Sequence, residues 1–147
     1  MHTPQLIADG FNKLGTLLYL LRNGSLTTNS ILFWDEPEAN LNPQIVAKVA
    51  EILRWLAQAG MQIFISTHDH LLSYELSLFA EYPEKHGNVP IRFLNCYREH
   101  PAVGWPVQVE SGNTLNDLEH NAITNAYAAQ YDREVDLFNN DEQEQED

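Results

Sequence analysis

Hydrophobic positions recur with two different spacings along the 147 residues. From Asp9 to Arg22, Phe11, Leu14, Leu17, Leu18 and Leu21 share one helical face. Asp9 is the expected cap of that helix and Asn23-Gly24 its stop. Ile31-Leu32-Phe33-Trp34 is apolar without alternation, which predicts a strand buried on both faces, as in a parallel sheet. Asn42 and Pro43 open a second helix, with Ile45, Val49, Ile52, Leu53 and Leu56 inward and Gly60 ending it. Gln62 to Ser66 is a second strand, so strand, helix and strand form a parallel βαβ crossover. A helix over His70 to Phe79 follows. Ile91 to Tyr97 and Pro106 to Glu110 then predict a hairpin turning through Pro101 and Gly104. A closing helix is expected from about Leu115 to Leu137, with Ile123, Ala126, Tyr127 and Tyr131 inward. Trp34 and Trp55 are expected in the core, and Trp105 exposed in the hairpin turn. The fold class is therefore α/β: a parallel βαβ core, a hairpin and a C-terminal helix.

Charge changes the picture at the end of the chain. Residues 139–147 are almost entirely Asp, Glu, Gln and Asn, which predicts an acidic disordered tail after one domain over residues 1–138. Lys and Arg number 8 against 21 Asp and Glu, a net charge of −13 that repels nucleic acid and anionic membranes. No direct nucleic-acid or membrane binding by this segment is expected. Cys96 is the single cysteine, so no internal disulfide forms and no zinc spacing exists. With no signal-like N-terminus and no run approaching a membrane span, a cytoplasmic location is expected.

Three segments carry candidate chemistry. The apolar strand 31–34 ends in Asp35-Glu36, at the sheet edge where α/β folds bind ligands. One carboxylate there suits Mg²⁺ held through water, and the next suits polarising an attacking water; two solvated acids are the plain alternative. The strand 62–66 runs into Thr67-His68, which places an imidazole beside the two acids if the strands are neighbours. An ordinary surface histidine fits that pattern too. His68-Asp69-His70 does not make a metal pair, because His70 enters a helix and points elsewhere. Joint chelation by Asp35 and Glu36, as a metal-dependent nuclease would use, is disfavoured because adjacent strand residues face opposite sides. Ile7-Ala8-Asp9-Gly10-Phe11 is a glycine turn opening a helix, either an anion site or a simply capped start.

The order of these motifs resembles the C-terminal half of an ABC-type ATPase head, a P-loop NTPase domain. The similarity is to the RecF/SMC-like, OLD-like branch of AAA/ABC ATPases, whose turn reads AEG-x-x-KL and whose strand is followed by DEPEANLNP. It spans residues 5 to 70, and more loosely 121–137. It implies Asp35 as the Walker B aspartate supporting Mg²⁺, Glu36 as the catalytic glutamate and His68 as the switch histidine. It implies Glu38 to Asn42, including Asn40, as a D-loop reaching a partner head. It implies Ala8, Asp9 and Gly10 as the signature turn that caps ATP held by the opposite head. Asp9 departs conservatively from the family's glutamate, and Ala8 lacks the transporters' serine hydroxyl.

The larger departure is that no G-x-x-x-x-G-K-[ST] occurs; Lys13-Leu14-Gly15-Thr16 has the wrong order and lies in a helix. The Q-loop expected upstream of the signature is also missing. These features lead to the expectation of a split, truncated or fragmentary head. Alone it would be inactive; completed by a Walker A-bearing half or a second head, it would hydrolyse ATP with Mg²⁺. The alternative is a non-catalytic module that docks on a related head. Exposed apolar surface on the isolated chain predicts self-association.

Overall fold

A computed structural model describes residues 4–100, 104 and 106–146, with the backbone alone for 4–9 and 140–146. Pro101 and Trp105 lie outside the described residues. The order is α1 (Pro4–Arg22), β1 (Ile31–Asp35), α2 (Pro43–Gln58), β2 (Gln62–Ser66), α3 (His70–Glu81), α4 (Pro83–His86), β3 (Phe93–Tyr97), β4 (Gln108–Gly112), a 3-10 turn (Leu115–Asp117) and α5 (Ala122–Glu146). The chain is thus mixed α/β with two small sheets.

Local chemistry explains α2. Asn42 is extended at φ −70°, ψ 142°, and its side chain accepts from the Gln44 amide at 2.9 Å. Pro43 occupies the first turn, where its missing N–H costs nothing. Val46, Val49, Ala50 and Leu53 are buried with Leu72 and Phe79, and Trp34, Ile63 and Ile65 pack against that cluster. Trp55, expected inside, is exposed and has the Arg54 guanidinium 5.9 Å from its ring. It lies outside the four-residue buried face of α2.

β1 and β2 are parallel, with Ile31 opposite Gln62 and Asp35 opposite Ser66. Their exposure alternates, contrary to burial on both faces. Leu32, Trp34, Ile63 and Ile65 turn toward the helices, while Ile31, Phe33 and Phe64 are exposed. Among the described residues, no second layer covers that face. Phe33 is 75% exposed and stacks on Phe64 at 4.9 Å. Full burial of each ring would be worth about 1.5–3 kcal/mol, which this arrangement forgoes.

α1 differs from expectation at its start. The helix begins at Pro4, so Ala8, Asp9 and Gly10 lie within it and form no opening turn. Proline suits the first turn of a helix. Gly10 is buried, and a Cβ there would stand 2.8 Å from the Asn40 carbonyl oxygen and 2.6 Å from Leu41 Cδ2. The glycine therefore serves close approach of helix to loop. On the predicted apolar face, Leu17 is buried, but Phe11 and Leu18 are exposed.

β3 and β4 pair antiparallel, with Phe93 opposite Gly112. The expected helix from Leu115 is divided into the 3-10 turn and α5. Asp117 accepts from the Asn113 and Thr114 amides at 2.8 and 3.0 Å, closing the short turn. Those bonds hold its carboxyl below the usual range. Buried Asn121 then accepts from Ile123 and Thr124, opening α5. Glu110 fastens this junction to the hairpin, accepting from Asn95 Nδ2 at 2.8 Å and from the His120 and Glu119 amides at 2.9 and 3.2 Å. Desolvation pushes its carboxyl up, but these bonds, with the His120 ring, outweigh it and bring the group down to about 2. The α5 backbone runs to Glu146. Tyr127 stacks on His70 at 3.9 Å but is exposed, as are Ala126 and Tyr131, all three of which were expected inward.

Candidate active site

The parallel register is what assembles the site. Pairing Asp35 with Ser66 puts the residues following both strands at one edge. The Glu36 amide continues the ladder by donating to the Ser66 carbonyl at 2.9 Å. Glu36 then leaves the strand with φ 44°, in the left-handed region that non-glycine residues avoid. Such strain, of order 1–3 kcal/mol, persists where surroundings over-determine the backbone. Here they do so through the Glu36 carbonyl, which accepts from the Ala39 amide at 3.1 Å and from Lys13 Nζ at 2.8 Å. Lys13 Nζ also reaches the Asp35 carbonyl at 3.4 Å.

Three consecutive residues after β2's apolar segment engage three acids that follow β1's. Ser66 Oγ donates to Asp35 Oδ1. Thr67 Oγ1 donates to Glu38 Oε1 at 2.6 Å. His68 Nδ1 lies 3.0 Å from Glu36 Oε1. The His68 side chain is 81% exposed and that of Glu36 44%. A contact this open contributes at most about 1 kcal/mol to stability, so folding does not account for it. It leaves an imidazole and a carboxylate side by side and accessible to solvent. Asp69 then caps α3 by accepting from the Leu72 amide at 2.7 Å, which turns His70 into the helix and away from His68.

Asp35, Glu36 and His68 are therefore brought together. Asn40 stands on the loop after β1 with φ 63°, a conformation asparagine tolerates, and its backbone lies against Gly10. Ala8, Asp9 and Gly10 have their backbone inside α1, so they offer no free helix N-terminus. Two functional-looking contacts escaped the sequence. Lys13 carries a motif position, but its reach to the backbone of residues 35 and 36 depends on how α1 docks. The Thr67–Glu38 bond depends on the strand register.

Among the described residues, no three His, Cys, Asp or Glu side chains form a metal-ligand group. Mg²⁺ needs no such cage, since it is usually held by one or two oxygen donors together with water and phosphate. The Asp35 carboxylate and the Ser66 hydroxyl at an exposed strand end are hard oxygen donors that fit it. No helix among the described residues is long and apolar enough to cross a membrane.

Comparison with known proteins finds similarity to one family model and to two relatives. Residues 3–73 match the family model described as AAA domain, putative AbiEii toxin, Type IV TA system. Old nuclease of Escherichia phage P2 is 43% identical over 44 residues, covering 30% of this chain and 8% of that protein. The arginine transport ATP-binding protein ArtP of Haemophilus influenzae is 30% identical over 67 residues, covering 46% of this chain and 28% of that protein. The aligned segments thus span under a third of either relative. No solved structure matches the chain. The similarities support a relationship to ABC- and OLD-like AAA ATPases, and the family match over residues 3–73 includes the site.

Proposed function

We propose that this chain supplies the hydrolytic part of an ABC-type ATPase head and acts on ATP once a Walker A-bearing half, in cis or in trans, completes it. The observation that carries this reading is the Glu36–His68 pair at 3.0 Å beside Asp35 on one sheet edge. Glu36 orients and deprotonates the attacking water, and His68 donates a hydrogen bond to the γ-phosphate. Asp35, steadied by Ser66, would hold Mg²⁺ through water, and the bound ion would supply charge neutralisation at the phosphates. Asn40 serves the nucleotide of a partner head, while Ala8 to Gly10, enclosed in α1, take no such role. The chain contains no loop to cradle phosphates, so the isolated chain is inactive.

The exposed Phe33–Phe64 face favours a second reading, a docking module for a related head. Calorimetry with ATP and Mg²⁺ tests both. The chain alone should bind no ATP, and adding a P-loop-bearing segment should create binding and hydrolysis. Tight binding by the chain alone would overturn the half-site reading; a complex that forms and never hydrolyses would favour the module. The same exposed face supports self-association, which sedimentation showing only monomer at high concentration would exclude.

A further inference from the structure

We propose that Glu38 is a positioning residue for the Glu36–His68 pair, acting through the Thr67 hydroxyl. The inference rests on the hydrolytic reading of that pair and adds a residue to it.

The bonding of Thr67 sets the direction of the argument. Its Oγ1 accepts from the Asp69 amide at 3.0 Å, so its own proton is directed to Glu38 Oε1 at 2.6 Å. Both bonds together fix the Thr67 rotamer and the backbone on either side of it. His68 projects from that backbone and, at 81% exposure, has little packing of its own to locate its ring. Glu38 is the firm end of the chain of contacts. It is 7% exposed and follows Pro37, which is fully buried. Its Oε2 is buried without a hydrogen-bond partner among the described residues. A buried carboxylate with an unpaired oxygen opposes folding, so stability alone gives no reason for an acid there. Positioning does: a carboxylate is the strongest neutral-pH acceptor for a hydroxyl, and charge-assisted bonds to it are short. The result is that the loop after β1 and the residues after β2 move as one unit, with the histidine held against the glutamate.

The test uses the full chain with ¹⁵N-labelled histidine and no nucleotide. Glu36→Ala is expected to move the His68 Nδ1 resonance in the native background, because it removes the acceptor at 3.0 Å. It should move it equally in Thr67→Ser, which keeps the hydroxyl. It should have little effect in Thr67→Val or Glu38→Ala, where the ring is no longer held. An undiminished response in Thr67→Val would overturn the proposal. If Glu38→Ala does not fold, the Thr67→Val and Thr67→Ser pair decides alone, since only one hydroxyl separates Val from Thr in shape. Absence of ATP hydrolysis in a completed complex would remove the proposed function and leave this result standing, so the two failures are distinct.

Discussion

Gly10→Ala tests whether α1 is locked against the loop after β1. Two opposing effects decide its sign. Replacing glycine by alanine inside a helix gains about 1 kcal/mol of intrinsic propensity. Against this, the new methyl would stand 2.8 Å from the Asn40 carbonyl oxygen, 3.1 Å from its carbon and 2.6 Å from Leu41 Cδ2. Leu41 can rotate, but the Asn40 backbone is constrained at φ 63° and cannot yield cheaply. Overpacking of this kind costs about 1–3 kcal/mol, occasionally more. The expected net loss is about 0–2 kcal/mol, a fall in Tm of up to roughly 8 °C for a domain of this size, against a rise where the methyl meets nothing. Gly15 lies in the same helix and meets nothing within 4 Å, so Gly15→Ala should express the propensity alone and gain about 1 kcal/mol. Thermal unfolding followed by circular dichroism compares the two. If Gly10→Ala is stabilised as much as Gly15→Ala, the close approach of α1 to Asn40 is refuted.

Other consequences follow from the hairpin and α5. Glu110 has its carboxyl lowered from 4.5 to about 2, so the stability it contributes is complete above the ordinary glutamate range and is lost as pH falls toward 2. Melts of native protein and Glu110→Gln should therefore differ at pH 7 and converge at the acid end; a constant difference would contradict the assignment. Asn121→Ala removes the acceptor for the Ile123 and Thr124 amides and should cost about 1 kcal/mol, read as earlier loss of helicity on urea unfolding. Unchanged unfolding would mean that α5 starts without that cap. Lys13→Met should speed hydrogen exchange of the Glu36 and Ala39 amides by loosening the strained turn, and unaltered exchange would show that Lys13 restrains nothing.

Much of this was legible because local signals and packing agree. Asn42-Pro43 marks the start of α2, and Asp69 the start of α3, through side chains that reach amides a few residues on. The two apolar strand segments put Asp35, Glu36 and His68 at one edge if the strands are neighbours, and β1 and β2 are paired. Gly10 shows the opposite case. A glycine has poor helix propensity and reads as a turn, but tertiary contact with Asn40 requires it within the helix. Ile31 and Phe33 were indistinguishable from buried residues by pattern, since burial depends on a second layer that lies in no local signal. The pairings of Ser66, Thr67 and His68 with three acids needed the register of β1 on β2, and strand periodicity alone does not supply it.

The central claim is that Glu36 activates water at this sheet edge. Its most direct test is the Mg²⁺-dependent ATP hydrolysis rate of the chain combined with a P-loop-bearing segment, measured with Glu36 and with Glu36→Gln. General-base catalysis of this kind supplies about 10²–10⁴-fold, so the substitution should lower kcat by that factor while ATP still binds. An active complex whose kcat is the same with glutamine at position 36 would contradict the account.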